Sequence, residues 1–281
     1  MAHIGQADET SRKRLAALRH FLLDLDGTLY LGSNPIDGAA AFVRYLVESG
    51  RKRLFFTNNC SVDAAYYEEK LARMGIPAAR DDILTSGEAT VRYLATGTPY
   101  RRVFVLGTPS FEAELRAGGL TLVDDDAEAV VLAFDRTLTY AKLETACGLL
   151  RDGVPYFATN PDKVCPTATG YIPDCGSMAA LLFESTGRWP KYIGKPNPEM
   201  VAMGLQKLGG QAQDKAITAM VGDRLYTDIQ MARQSGIAAI LVLSGETRES
   251  DLANAEQTPD YVFASVKALH AALRDADRAM A

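Results

Sequence analysis

The sequence is poor in residue types that many active sites use. It has three histidines, four cysteines and one tryptophan among 281 residues. Two of the histidines, His3 and His270, lie near the termini. This placement disfavours a Ser-His-Asp triad, a Cys-His pair and a histidine-based zinc site. If the chain is an enzyme, carboxylates and lysine must carry its chemistry.

The cysteines show no pattern of a redox or metal motif. Their spacing fits neither a CxxC pair nor a zinc ribbon. We expect reduced thiols, as in a cytoplasmic protein. The residues are Cys60, Cys147, Cys165 and Cys175.

Long hydrophobic runs and an excess of positive charge are also missing. No apolar run approaches the roughly 20 residues that cross a bilayer, and the N-terminus lacks the apolar core of a signal peptide. Lys and Arg number 30 and Asp and Glu 35, so the net charge is −5. That balance gives no electrostatic footprint for nucleic acid or anionic lipid. We therefore predict a cytoplasmic protein without a membrane or nucleic-acid partner, which holds any anion in a local site.

Short β-rich runs alternate with longer segments of helical period, which predicts parallel βαβ units and an α/β class. The length predicts one large domain or two moderate ones. The predicted strands are 21–25, 54–56, 103–106, 130–134, 156–158, 191–193, 217–221 and 239–243. The predicted helices are 39–49, 64–74, 88–94, 111–116, 140–150, 178–184, 198–208, 225–234 and one after Ser265.

Four of these strands run directly into polar clusters. Ligands of open parallel sheets bind outside the carboxyl ends of the strands. If the four strands share one sheet, the clusters converge on one edge. They are Asp24-Leu25-Asp26-Gly27-Thr28, Thr57-Asn58-Asn59, Gly194-Lys195-Pro196-Asn197-Pro198 and Gly222-Asp223-Arg224-Leu225-Tyr226-Thr227-Asp228.

The clusters are rich in carboxylates, which need a cation when they are close together. Asp24 and Asp26 are two residues apart, so at a strand end they lean to the same side. Two carboxylates about 4 Å apart repel by roughly 4 kcal/mol at an effective dielectric constant of 20. Asp223 and Asp228 would add to this repulsion. Because all these ligands are hard oxygens, the pattern predicts Mg²⁺.

The remaining polar groups suit a phosphoryl ligand. Lys195 supplies a positive charge, and Thr57 and Asn58 offer neutral donors. Taken singly, each cluster also fits a turn, a helix cap or a surface loop. Their joint occurrence, in this order and each at a strand end, favours one functional site.

Together the four motifs resemble those of haloacid dehalogenase-like (HAD) hydrolases over nearly the whole chain. Phe55-Phe56-Thr57-Asn58-Asn59 and Ala158-Thr159-Asn160-Pro161-Asp162 further resemble the NagD / 4-nitrophenylphosphatase / phosphoglycolate phosphatase subgroup. The resemblance implies a Rossmann-like parallel-sheet core with helices on both faces, formed by residues 1–85 and 191–281. It also implies an inserted α/β cap domain at residues 86–190, for which the motif spacing leaves room.

The resemblance implies a role for each matching residue. Asp24 is the nucleophile that forms an aspartyl-phosphate. Asp26 is the general acid for the leaving group and then the base that activates water. Thr57 and the Asn58 amide bind phosphoryl oxygens, and Lys195 neutralises the charge of Asp24 and the phosphate.

The implied metal ligands are Asp24, the backbone carbonyl of Asp26, and Asp223, with Asp228 supporting the metal or its waters. Asp26 must hold a proton in one half-reaction, so its surroundings should raise its pKa. Dehalogenases of this superfamily lack an Asp at that position. Halide displacement is therefore not expected.

The cap is expected to close over the site, exclude water and shape the leaving-group pocket. Asn160, Asp162 and Cys165, together with Asn59, are candidates for substrate contact. For Cys165, a turn with a buried thiol fits equally well. Relatives often read Pro-Gly-x-Gly-Ser where this chain has Pro173-Asp174-Cys175-Gly176-Ser177. This difference leaves the substrate open.

The function predicted from the resemblance is Mg²⁺-dependent hydrolysis of small phosphorylated metabolites. A sugar phosphate, a polyol phosphate or phosphoglycolate fits a pocket without a dense cationic cluster. Two alternatives stay open, namely phosphoryl transfer in a phosphomutase and a non-catalytic phosphometabolite-binding protein. A homodimer also stays open.

Overall fold

A computed structural model describes residues 3–4, 9–167 and 170–280. The helices in these ranges are α1 (Glu9–Ala17), α2 (Ala39–Glu48), α3 (Ala64–Arg73), α4 (Ser86–Gly97), α5 (Pro109–Ala117), α6 (Tyr140–Arg151), α7 (Cys175–Thr186), α8 (Pro198–Lys207), α9 (Gln230–Ser235) and α10 (Val266–Met280). The strands are β1 (His3–Ile4), β2 (His20–Asp24), β3 (Tyr30–Leu31), β4 (Asn34–Pro35), β5 (Lys52–Thr57), β6 (Ile83–Thr85), β7 (Arg102–Leu106), β8 (Thr121–Leu122), β9 (Ala129–Leu132), β10 (Tyr156–Ala158), β11 (Val164–Thr167), β12 (Gly170–Pro173), β13 (Lys191–Tyr192), β14 (Thr218–Gly222), β15 (Ala238–Val242) and β16 (Tyr261–Phe263). No helix in the described ranges is long and apolar enough to cross a membrane.

The chain divides into two compact units. The first contains residues 1–56, 67–83 and 201–281, and the second contains residues 57–66 and 84–200. Each unit is built on its own sheet, so the predicted α/β class is confirmed.

The first unit is organised by a seven-stranded sheet in the order β1-β16-β15-β14-β2-β5-β6. The pairs from β1 through to β5 are parallel. Every residue of β2, β14 and β15 is buried, as expected for strands that are covered on both faces. This agrees with the predicted Rossmann-like core.

The order of the strands reverses between β2 and β14. From β2 the chain moves outward through β5 and β6, and from β14 it moves outward in the other direction through β15 and β16. In open α/β sheets, ligands bind at the carboxyl ends of the strands flanking such a switch point. Asp24 ends β2, and Asp223 follows β14 directly.

Helix α10 illustrates how helices of the first unit pack together. Its buried residues recur at spacings of three and four, which places them on one face of the helix. That face packs against α1 and α2. The buried residues are Val266, Leu269, Leu273 and Ala276.

The second unit contains a five-stranded sheet in the order β13-β10-β9-β7-β8, with all pairs parallel. The strand predicted at 191–193 belongs here, as β13, and not to the sheet that contains β2 and β14. The premise that all four motif strands share one sheet is therefore wrong for this strand. It pairs with β10 through only two residues, and no local pattern encodes that choice of partner.

Other differences concern short or irregular elements. The helix predicted at 225–234 begins as a π-helical segment, Leu225–Ile229, before α9. Patterning also misses the antiparallel hairpin of β11 and β12. The single tryptophan, Trp189, follows α7, is 52% exposed and stacks on Phe183 with ring centroids 4.6 Å apart.

Candidate active site

Three carboxylates come together in the first unit at the switch point of its sheet. One oxygen each from Asp24, Asp223 and Asp228 lies within 4.8 Å of the others. Their residues are only 8%, 2% and 0% exposed. Asp24 and Asp223 are brought together by the pairing of β2 with β14, and Asp228 by the π-helical segment.

Hydrogen bonds and two glycines hold this cluster in place. Asp24 Oδ2 accepts from Thr28 Oγ1 at 3.1 Å, and Asp228 Oδ2 accepts from the Arg224 N–H at 3.1 Å. A Cβ on Gly27 would lie 2.3 Å from Asp223 Oδ2, and one on Gly245 only 2.0 Å away. Glycine at both positions is what allows the backbone to approach the carboxylate so closely.

The cluster is electrostatically incomplete without a cation. Burial, reinforced by the charges of Asp24 and Asp228, raises the pKa of Asp223. Its Oδ2 accepts from the Glu246 N–H at 2.7 Å. Its Oδ1 is buried and has no hydrogen-bond partner among the described residues. An unpartnered carboxylate oxygen within an all-oxygen donor set fits a hard divalent cation.

Asp26 lies outside this group of side chains. It is beyond the end of β2, forms an isolated bridge with Tyr30, and its side chain is exposed. Even so, surrounding protein limits its hydration, and this desolvation raises its pKa. The Asp24 charge adds to the rise, while Lys70 and Arg224 oppose it. A raised pKa is what a proton donor near neutral pH needs.

In the second unit, Asn58 is the centre of a buried hydrogen-bond network. Its side-chain Oδ1 accepts from the Lys195 N–H at 2.9 Å, and its Nδ2 donates to the Lys195 carbonyl at 3.0 Å. Nδ2 also lies 3.3 Å from Asp162 Oδ1. The Asn58 carbonyl accepts from Asn160 Nδ2 and Ser86 Oγ. Lys195 itself is 3% exposed.

The other predicted residues of this unit are placed as follows. Thr57 ends β5, and its Oγ1 accepts from the Asn59 N–H at 3.2 Å. The Asn59 side chain accepts from both the N–H and the hydroxyl of Ser61. Cys165 is half-buried in β11, opposite Ile172, and so lies in a strand and not in a turn.

Asp174 and Cys175, which depart from the sequence expected of relatives, lie at the start of α7. Asp174 is the N-cap of α7 and accepts from the Cys175 N–H. The Cys175 thiol is fully buried and accepts from Thr159 Oγ1 at 3.6 Å, and Cys60 Sγ donates to the same hydroxyl at 3.2 Å. The four cysteines, all in the described part of the chain, form no disulfide.

The structure therefore gathers Asp24, Asp223 and Asp228 in the first unit, and Asn58, Asn160, Asp162 and Lys195 in the second. The segment 244–247, which contacts Asp223, was not identified from the sequence as part of the site. It could have been, because 239–243 is also an apolar run that ends in a glycine-containing polar cluster. The same rule that identified the other motifs would have included it.

Comparison with known proteins agrees with this geometry. A model described as haloacid dehalogenase-like hydrolase matches residues 21–121, and one described as HAD-hydrolase-like matches residues 192–269. The acid sugar phosphatase of Staphylococcus epidermidis is 36% identical over 244 residues, which cover 86% of this chain and 93% of that protein. The chain belongs to the haloacid dehalogenase-like hydrolase family.

Solved structures of other HAD hydrolases superpose closely on this one. The 4-nitrophenylphosphatase of Thermotoga maritima matches with a TM-score of 0.88 and 42% identity over 92% of this chain and 99% of that one. A glycerol phosphate phosphatase from Mycobacterium tuberculosis, in complex with magnesium, matches with a TM-score of 0.83 and 32% identity over 91% and 78%. NagD from Escherichia coli K-12 matches with a TM-score of 0.83 and 28% identity, over 89% and 97%. The predicted likeness to the NagD and 4-nitrophenylphosphatase type is thus confirmed.

Proposed function

We propose that this HAD hydrolase is a Mg²⁺-dependent phosphatase that hydrolyses small phosphate monoesters through an aspartyl-phosphate intermediate. It is a phosphoric monoester hydrolase. The observation that carries the assignment is the buried group of three carboxylates at the switch point, in which one Asp223 oxygen has no hydrogen-bond donor within the described ranges.

The metal ligands of this proposal are Asp24, Asp223 and the backbone carbonyl of Asp26, with Asp228 in support. When bound, Mg²⁺ supplies positive charge that offsets the clustered carboxylates and the phosphate oxygens. The cluster supports this proposal because every donor in it is a hard oxygen.

Asp24 acts as the nucleophile. Its carboxylate oxygen forms a bond to phosphorus while the bond from phosphorus to the leaving oxygen breaks, and Asp26 donates its proton to that oxygen. Asp26, now a carboxylate, then takes a proton from water. The water oxygen bonds to phosphorus as the bond from phosphorus to Asp24 breaks, which releases phosphate and regenerates Asp24. The raised pKa of Asp26 supports this double role.

Residues of the second unit are proposed to bind the phosphoryl group. Thr57 and Asn58 donate hydrogen bonds to its oxygens, the latter through its backbone N–H, because the Asn58 side chain is engaged with Lys195. Lys195 neutralises negative charge on the phosphate. Asn59, Asn160, Asp162 and Cys165 remain the candidates for contact with the rest of the substrate.

A sugar phosphate or polyol phosphate is the proposed substrate class. It is supported by the names of two relatives, an acid sugar phosphatase and a glycerol phosphate phosphatase. An inserted cap domain, predicted at residues 86–190, is supported by the separate sheet of the second unit, which also includes β13 just beyond that range. A cytoplasmic location and a homodimer also remain proposals.

The decisive test changes the nucleophile. Asp24→Asn should lower phosphate release from 4-nitrophenyl phosphate with Mg²⁺ on the order of 10⁴-fold or more. Its circular dichroism spectrum should stay that of the wild type. Asp125→Asn, a matched change in an exposed loop, should keep full activity. Retention of most activity by Asp24→Asn would refute the mechanism.

Labelled water distinguishes hydrolysis from phosphoryl transfer to another sugar. In ¹⁸O-water, a phosphatase incorporates the label into the released phosphate, whereas a phosphomutase places no solvent oxygen in its product. Chelation of Mg²⁺ by EDTA should stop the reaction, and restored Mg²⁺ should recover it.

A further inference from the structure

The segment 244–247, which follows β15, encloses the Asp223 carboxylate. The Glu246 N–H donates to Asp223 Oδ2 at 2.7 Å, and the Thr247 N–H donates to the Asp223 carbonyl at 3.2 Å. The Cα of Gly27 lies only 2.7 Å from the point that a Cβ on Gly245 would occupy. Asp223 is therefore held on one side by this segment, which leaves its Oδ1 for the carboxylate cluster.

The side chain of Glu246 ties the segment to two other parts of the same unit. Its Oε2 lies 2.9 Å from Arg224 Nε, and its Oε1 accepts from the Tyr226 hydroxyl at 2.9 Å. Arg224 directly follows Asp223, and its own N–H donates to Asp228. The backbone and side chain of Glu246 thus link the two carboxylates that follow β14.

We propose that Glu246 is a positioning residue for the metal site, which holds its own N–H on Asp223 through the contacts of its side chain with Arg224 and Tyr226. The proposal rests on the proposed function, because it presumes that the carboxylate cluster binds Mg²⁺. The side chain of Glu246 contacts Arg224 and Tyr226, so it would act on the metal ligand Asp223 indirectly.

A surface ion pair alone would not explain this arrangement. Glu246 is half exposed, and exposed ion pairs contribute little to stability. Its effect should instead appear in the orientation of Asp223. Without the side-chain contacts, the segment can withdraw its N–H, and the carboxylate can rotate its Oδ1 away from the cluster. Residues that orient metal ligands typically change metal affinity more than they change the fold.

The test is direct titration of the purified protein with Mg²⁺ by isothermal titration calorimetry. Glu246→Ala should weaken Mg²⁺ binding about tenfold. Glu246→Gln keeps an acceptor oxygen for Arg224, and its amide NH₂ can donate to the Tyr226 oxygen, so both contacts can persist without the charge and Mg²⁺ binding should stay close to wild type. Tyr226→Phe removes the hydroxyl that donates to Glu246 and should show a smaller loss than Glu246→Ala. The control Glu249→Ala removes an exposed carboxylate three residues away and should change nothing.

The outcomes separate this inference from the proposed function. If the wild type binds no Mg²⁺, or if Asp223→Asn binds it as well as the wild type, both fail. If Asp223→Asn loses binding and Glu246→Ala does not, only the positioning role is overturned. Equal losses in Glu246→Gln and Glu246→Ala would also overturn it, because the charge and not the contact would then matter. Should Glu246→Ala not fold, Tyr226→Phe decides, and wild-type affinity in that variant refutes the inference.

Discussion

The side-chain amide of Asn58 pairs with both backbone polar groups of Lys195, at 2.9 Å and 3.0 Å, across 137 positions of sequence. The side chain makes the same pair of hydrogen bonds, one accepted and one donated, that a residue of a neighbouring β-strand would make. Because both partners are buried, no water can take over these bonds at low cost. Asn58 therefore determines where the Lys195 backbone lies.

Asn58→Ala is expected to lower kcat about 10²-fold, because small displacements of a positioned charge are costly in catalysis. The loss should arise through Lys195. In a double-mutant cycle measured on 4-nitrophenyl phosphate, Asn58→Ala should then cost little more once Lys195→Ala is present. Additive losses would mean that the Asn58 side chain acts independently. Asn254→Ala, at the exposed end of a 3₁₀ helix, should keep wild-type kinetics.

Gly245→Ala should disrupt the carboxylate cluster. The added Cβ would lie 2.0 Å from Asp223 Oδ2, so either the backbone or the carboxylate must move. We expect Mg²⁺ affinity to fall by at least about tenfold. Gly148→Ala in α6 is the matched control, since its Cβ would meet nothing within 4 Å in the described part of the chain. That change should stabilise the protein by about 0.5–1 kcal/mol. Unchanged Mg²⁺ affinity in Gly245→Ala would contradict the observed packing.

Mild acid should destabilise the protein through His270. Burial, together with Arg274, lowers its pKa below the unfolded value of 6.5, although Glu48 opposes the shift. Its Nε2 has no hydrogen-bond partner among the described residues. Between the folded and unfolded pKa values the unfolded chain binds more protons. The His270 contribution to the free energy of unfolding should therefore fall as the pH drops through 6.5 and level off below the folded pKa, whereas the raised pKa values of Asp26 and Asp223 contribute in the opposite sense in wild type and variant alike.

Urea unfolding from about pH 7.5 to pH 5 measures this slope. His270→Phe should remove the His270 contribution to this slope, because Phe packs against the same neighbouring rings of Phe42 and Tyr45 and does not titrate. Part of the slope should remain, since burial also lowers the pKa of His20. An identical slope in wild type and variant would exclude His270 as the source.

The thiols should divide into two reactivity classes. Burial raises the pKa of Cys60 to about 12 and also raises that of Cys175, so neither forms the reactive thiolate readily. Cys147 and Cys165 are half-buried. Ellman's reagent should label these two first in the native protein and all four in urea. A native Cys147→Ser, Cys165→Ser double variant that still reacted rapidly would contradict the assignment.

Much of the first unit could be predicted from local patterns. The strands β2, β14 and β15 are continuous apolar runs, and Asp24 and Asp223 stand where those runs end. The clustering of Asp228 with them follows once β14 is placed. Asp26 also lies beyond a strand end, but no pattern reveals how far its surroundings limit its hydration.

The remaining features depend on contacts between distant parts of the chain. The run at 191–193 reads as a strand, yet its partner β10 is chosen by the packing of the second unit. From the sequence, the Asn58 side chain is interpreted as a ligand of the phosphoryl group. No residue near it in the sequence predicts its bonds to the Lys195 backbone. Glu246 is likewise not marked by any local pattern, because its backbone bond to Asp223 and its side-chain contacts with Arg224 and Tyr226 exist only in the folded chain.

The stacked Trp189 makes the second unit optically distinct. As the chain has one tryptophan, fluorescence excited selectively in that ring reports on the surroundings of Phe183 and not on the sheet that carries Asp24. Far-ultraviolet dichroism reports on both units together. Coincident melting curves from the two signals would mean that the units unfold as one cooperative body, whereas separated curves would assign each transition to its half of the chain.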